Sequence, residues 1–192
     1  MLTVITLPFA SVWLFVHPFI AGWRRVGPFI TYAFIIGYVT CGIYTLWSFR
    51  RWILSVEYGF HGFLAFPAAL FLLFAFVLRV SWRRVLRPRT LLGVPEITGK
   101  NEIGKLAVDG VYSHIRHPRY VEVGFALTAA ALFSNYLSSY IAVLLYVPII
   151  YCVALLEERE LKRRFGKAYE DYCSRVPRFI PRIRLHDGRG FE

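Results

Sequence analysis

The chain has 192 residues, 57% of them hydrophobic and 18% aromatic, with mean hydropathy +0.49 and a formal net charge of +11. Soluble domains carry about 45–50% apolar residues by a similar count, so an ordinary water-soluble domain is excluded. Cys41, Cys152 and Cys173 are odd in number and far apart, which excludes a disulfide framework or a paired-cysteine zinc site and leaves them as packing residues.

Three runs free of Asp, Glu, Lys and Arg open the chain: Leu2 to Trp23, Val26 to Phe49, and Tyr58 to Leu78. Each is about 20 residues, the length that crosses a hydrocarbon core of roughly 30 Å. The first lacks the basic start of a signal peptide and is long for one, so it reads as a span, although Pro8, His17 and Pro18 interrupt it. Residues 1–82 thus form a three-span scaffold, and 83–192 hold nearly all the polar chemistry. Arg83 to Asp109 is a basic connector with turn signals at Gly93, Pro95, Gly99 and Gly104, a candidate lid or cofactor-binding loop.

A fourth uncharged run covers Val123 to Leu156, about 50 Å as one helix and too long for an upright span. Asn135, Tyr136, Ser138 and Ser139 interrupt it. A hairpin fits: one helix from Pro118 to about Ser134 and another from about Tyr140 to Leu156. A single tilted helix is the alternative. A charged amphipathic helix follows from Glu157 to about Ser174, ended by Pro177 and Pro181, with a ragged tail from Arg182. The fold class is therefore an all-α polytopic membrane protein with about five spans. Arg24 and Arg25, then Arg83, Arg84, Arg87 and Arg89, then the basic C-terminal region follow spans one, three and five, which places them and the C-terminus in the cytoplasm. Arg50 and Arg51 face outward as a mild violation. This pattern accounts for the charge without nucleic acid.

The segment Gly110-Val111-Tyr112-Ser113-His114-Ile115-Arg116-His117-Pro118-Arg119-Tyr120 sits where the chain re-enters the apolar phase. Pro118 suits the first turn of a helix, and that start offers free N–H groups. On the last helix Leu161, Phe165, Ala168, Tyr169 and Tyr172 share one face, with Glu158 near its centre and Glu157 at its edge. A carboxylate there needs a partner: either it caps the bundle through Arg or Lys, or it holds a cationic or hydroxyl-bearing ligand. Arg116, Arg175 and Arg178 are candidates to grip a carboxylate or phosphate in two-pronged fashion, or to meet lipid phosphates. His117 has helix capping as its structural alternative, and Tyr112 and Tyr120 have the interfacial aromatic belt. His114 reads as a loop residue, and His17 and His61 as packing or interfacial residues. Gly166 costs about 1 kcal/mol inside a helix, so either close packing or a bend requires it.

Taken together, Gly110-x-Tyr112, Arg116-His117-Pro118-x-Tyr120, Glu157-Glu158-x-x-Leu161, Phe165-Gly166, Tyr169, Tyr172 and Arg175-Val176-Pro177 resemble the integral-membrane methyltransferases, a group that includes isoprenylcysteine carboxyl methyltransferase and the phospholipid methyltransferases. The resemblance covers about residues 104–181, and the first three spans carry no usable signature. It implies S-adenosylmethionine as methyl donor, with Leu106, Ala107, Tyr112, His117, Pro118, Tyr120 and Glu157 as cofactor-binding residues at the cytoplasmic end. It leaves Arg116, Glu158, Arg175 and Arg178 for the substrate and catalysis, and no metal. The substrate it implies is lipid-like and enters from the bilayer; no nucleic acid or protein partner is implied.

One departure bears on the substrate. The eukaryotic isoprenylcysteine enzymes carry an arginine one turn before the acidic pair, where this chain has Val153. The lipidated-cysteine substrate is therefore in doubt, while the methyl donor is not. Glu122, where many relatives have glycine, is open to pairing with Arg119 or Arg116. An amine acceptor would need a base, for which Glu158, Glu122 or a tyrosine is available. Two rival readings stand: an NADPH-dependent membrane reductase of the sterol-reductase type, which shares Arg-His-Pro-x-Tyr and a late acidic helix, and a non-catalytic membrane scaffold or binder.

Overall fold

The structure is a computed structural model and describes residues 1–85 and 106–181. Most of the Arg83–Asp109 connector and the tail from Arg182 lie outside these. No strand occurs among the described residues, only a lone antiparallel bridge between Glu57 and Tyr136.

The helices are α1 (Leu2–Ser11), α2 (Trp13–Val16), α3 (Ile20–Val26), α4 (Pro28–Ser48), α5 (Arg50–Ile53), α6 (Gly62–Arg83), α7 (Pro118–Ser134), α8 (Leu137–Phe165) and α9 (Lys167–Arg175), with a 3-10 turn over Gly110–Ser113. Three of them, α4, α6 and α8, are long and apolar enough to cross a membrane, or four spans if the bent first segment counts as one. This falls short of the five expected, and two local causes account for it. His17 and Pro18 break the first run, so that Thr3–Val16 and Ile20–Val26 meet at 88°. Helix α7 has only 17 residues, about 26 Å at 1.5 Å per residue. Its partner α8 absorbs the rest of the apolar run and continues through the acidic residues to Phe165.

The expected hairpin is present. Asn135 ends α7 in the left-handed region (φ 50°, ψ 40°), a conformation that asparagine tolerates. Its side chain donates to Gly59 O at 2.8 Å and accepts from Tyr140 OH at 2.8 Å, which ties the turn to the loop before α6. Helix α6 packs along α7, and α1 packs along α8. At the turn end, Thr3 Oγ1 donates to Ser139 Oγ at 2.9 Å in a fully buried contact. Helix α4 approaches α1 closely at Gly42, where a Cβ would come within 2.8 Å of Pro8 Cγ.

Leu127, Tyr146, Ile150 and Val153 form the buried centre, with Trp13, Leu14 and Tyr120 packed against them. The outer surface is apolar: Phe29, Phe63, Phe66, Phe76 and Leu144 are all exposed, as lipid-facing side chains are.

The last expected helix departs from the sequence reading. It does not start at Glu157; α8 runs through that point, stops at Gly166 (φ 55°, ψ −132°), and α9 begins afresh at Lys167. A Cβ on Gly166 would meet nothing, so the glycine serves the bend and not close packing. The break swings Ala168 to the surface, off the apolar face where unbroken periodicity placed it. Tyr169, Tyr172 and Val176 still pack together, against Leu106, Leu161, Phe165 and Cys173.

Candidate functional site

The polar segment before α7 and the acidic end of α8 meet at one end of the bundle. Here the amides of Arg116 and His117 donate to Pro177 O (2.9 Å) and Arg178 O (3.0 Å). The segment after α9 is thereby laced over the entrance to α7. Tyr120 N–H and Val121 N–H bond to His117 O, so the free amides expected at this helix start are mostly taken.

Glu158 is the hub. It is 4% exposed and on the buried side of α8. Arg178 grips it in two-pronged form, Nε to Oε1 at 3.0 Å and Nη2 to Oε2 at 3.0 Å. Arg116 Nη1 lies 3.1 Å from Oε1, and His117 Nε2 also contacts Oε1 at 3.1 Å. Arg116 donates in addition to Cys173 Sγ at 2.6 Å. A buried carboxylate with this many donors is satisfied. Its hydrogen bonds also hold the Arg178 guanidinium more firmly charged than usual.

Glu157 differs from its neighbour. Its side chain is 26% exposed, Tyr120 OH donates to its Oε2 at 2.8 Å, and His117 Nδ1 stands 3.6 Å from the same oxygen. The His117 ring stacks on Tyr120 (centroids 5.4 Å, planes 17° apart), so one imidazole bridges the two carboxylates. Beneath them Tyr146 OH donates to Tyr120 O at 2.9 Å. Pro118 is fully buried at the head of α7.

Tyr112 is buried in the 3-10 turn, and its carbonyl accepts from Tyr172 OH. Burial pushes the phenols of Tyr112, Tyr169 and Tyr172 above the usual tyrosine range, which keeps them neutral. Leu106 packs against the Tyr169–Tyr172 cluster, and Ala107 beside it is half-buried. Arg175 stands apart: it is exposed and its Nε donates to Asp171 O at 3.1 Å. Glu122 pairs with neither Arg119 nor Arg116. Arg79 of α6 reaches it instead, at 3.1 Å, since Glu122 lies on the α7 side facing α6. Arg79 went unremarked in the sequence because it ends an apolar run with no motif around it. Val153 is completely buried in the apolar centre.

Residues 63–168, more than half of the chain, match the phospholipid methyltransferase family. The chain belongs to that family. The match starts at the head of α6, earlier than the C-terminal motifs indicate, so the third apolar run does carry family character. Over 87 residues the chain is 36% identical to a protein-S-isoprenylcysteine O-methyltransferase of Schizosaccharomyces pombe, covering 44% of this chain and 36% of that protein. Over 102 residues it is 32% identical to the Delta(14)-sterol reductase LBR of Gallus gallus, covering 48% of this chain and 14% of that protein. The matched stretches thus span about a third of the one relative and a seventh of the other. No solved structure matches.

Proposed function

We propose that this membrane protein of the phospholipid methyltransferase family transfers a methyl group from S-adenosylmethionine to an amphiphilic, membrane-embedded acceptor, with the cofactor held at the end of the bundle where Glu157, His117 and Tyr120 meet. The observation that carries the reading is the unequal state of the two adjacent carboxylates. Glu158 is consumed by Arg116, Arg178 and His117, whereas Glu157, among the described residues, is contacted at Oε2 alone, which leaves Oε1 for a ligand.

The residues present fit the cofactor. Its ammonium or ribose hydroxyls suit the open oxygen of Glu157, since charge-assisted hydrogen bonds are among the stronger ones. Arg116 supplies a second mark: its Nε is buried and has no partner, while its side chain is only 9% exposed. An orphaned guanidinium N–H suits an anionic group such as the cofactor carboxylate. By the family resemblance, Leu106, Ala107, Tyr112 and Pro118 would line the pocket beside these groups.

When bound, the cofactor supplies an electrophilic methyl on sulfur, attacked in line by the acceptor. The chain's part is to position and to exclude water; the reacting atoms must approach to about 3–3.5 Å. His117 and Tyr120 orient Glu157. Glu158, Arg116 and Arg178 lock the segment before α7 against α8 and the chain after α9, and act as positioning residues. Glu158 is a poor candidate for general base with four donor contacts on it, which favours an acceptor that is nucleophilic as it stands, such as a carboxylate. Arg175 has no part in this scheme. The C-terminus and site face the cytoplasm by charge distribution.

Native membranes incubated with radiolabelled methyl donor and then extracted test the reading. A labelled amphiphile that appears with the wild-type chain and not with Glu157→Ala supports it; absence of any label with a folded wild type refutes it. The similarity to a sterol reductase keeps one rival in view, and the same preparation distinguishes it by whether NADPH or S-adenosylhomocysteine binds.

A further inference from the structure

Where the end of α6 meets the start of α7, two guanidinium groups lie over one indole, and a third, Arg79, sits one turn before Arg83. Trp82 is 5% exposed, and its Nε1 is buried with no hydrogen-bond partner. The guanidinium of Arg83 lies 5.9 Å from its ring centroid and that of Arg119 5.8 Å. Arg79 donates through Nε to Glu122, and its side chain is 49% exposed. Among the described residues no carboxylate pairs with Arg83 or Arg119, so the cluster carries three positive charges against one negative. Like charges four residues apart on a helix repel, and an unpaired buried donor costs stability. Both features call for an anion.

The same seam is aromatic deeper in the bundle, where Phe71 and Phe74 pack against Phe125 at 5.7 and 5.9 Å. Leu72, Leu73 and Phe76 are exposed alongside. An exposed apolar flank that ends in guanidinium groups matches an acyl tail below a phosphate.

We propose that the α6–α7 seam holds an anionic phospholipid of the bilayer, its phosphate seated on Arg79, Arg83, Arg119 and the Trp82 indole N–H. The proposal does not rest on the methyl-transfer reading. The lipid pins the two helices whose far ends frame the hairpin, and bridges the Arg79–Glu122 pair to the start of α7.

Native mass spectrometry of the full chain in detergent, titrated with phosphatidylglycerol, tests it. The wild type retains one lipid, and half-saturation rises at least fivefold in Arg83→Gln/Arg119→Gln and at least twofold in Trp82→Phe, which keeps the ring and removes the N–H. Arg83→Lys/Arg119→Lys binds within twofold of wild type, and Arg50→Gln/Arg51→Gln, at the opposite end, is unchanged. A hundredfold excess of inorganic phosphate leaves the lipid in place. Equal retention by Arg83→Gln/Arg119→Gln overturns the proposal, and so does displacement by inorganic phosphate, which would mark a free-anion site. Should the double glutamine variant fail to fold, Arg83→Gln alone decides, because Arg83 is exposed; unchanged half-saturation there overturns the proposal equally.

Discussion

Arg116, His117 and Arg178 all converge on Glu158, and their worth depends on that one carboxylate. Removing one member of a buried charge network leaves the others unpaired, at a cost of about 3–5 kcal/mol. Glu158→Gln should therefore lower the thermal unfolding midpoint in detergent strongly, while Glu170→Gln, on an exposed site, should leave it in place. An unchanged midpoint for Glu158→Gln would contradict the hub. Tyr120→Phe removes the hydrogen bond to Glu157, of about 1 kcal/mol, so S-adenosylhomocysteine affinity should fall roughly three- to tenfold by titration calorimetry. No change would mean that Tyr120 does not set the geometry of Glu157. Val153 fills the centre of the apolar cluster, and Val153→Arg, which would restore the arginine of the isoprenylcysteine enzymes, should destabilise the chain rather than confer that substrate. A folded variant with gained activity on a prenylated cysteine would overturn this.

At the scale of the elements, Gly166 decides where α8 ends. Its φ of 55° with ψ −132° is open to glycine and strained for other residues, by about 1–3 kcal/mol. Gly166→Ala should lower the thermal midpoint and loosen the Tyr169–Tyr172 packing, seen as faster amide exchange in α9. Gly22→Ala, mid-helix in open space, should hold or raise the midpoint. Equal behaviour of the two would contradict the conformational role. The hairpin was legible because Asn135 and its polar neighbours punctuate an overlong apolar run. The break at Gly166 was legible only as one of two alternatives, because periodicity continues through a bend when residues on both sides pack in one cluster. The pairing of Glu122 with Arg79 was hidden: neighbours in sequence offered Arg119, and only the packing of α6 on α7 brings a residue 43 positions away. That the polar segment before α7 meets the acidic end of α8 was legible, since both lie on the arms of one hairpin; the individual pairs, Tyr120 with Glu157 and His117 with Glu158, were not.

For the molecule as a whole, charge marks the ends. Arg24 pairs with Glu160 at 2.7 Å, which places the end of the bent first segment beside the polar end of α8, with Arg83 and Arg84 at the matching end of α6. Arg50 and Arg51 lie after α4, at the other end. By the positive-inside rule we propose that the first group is cytoplasmic. In a cysteine-free background, Arg163→Cys should react with an impermeant thiol reagent only in inverted vesicles and Arg51→Cys only in right-side-out ones. Labelling of both from one side would contradict the bundle's orientation. The functional account itself turns on Glu157. Titration of the purified full-length chain with S-adenosylhomocysteine should give one saturable site, weakened at least tenfold by Glu157→Ala, in line with loss of a charge-assisted contact of about 1.5–3 kcal/mol. A folded wild type that binds none of it, or a Glu157→Ala variant that binds it as well as wild type, would contradict the account.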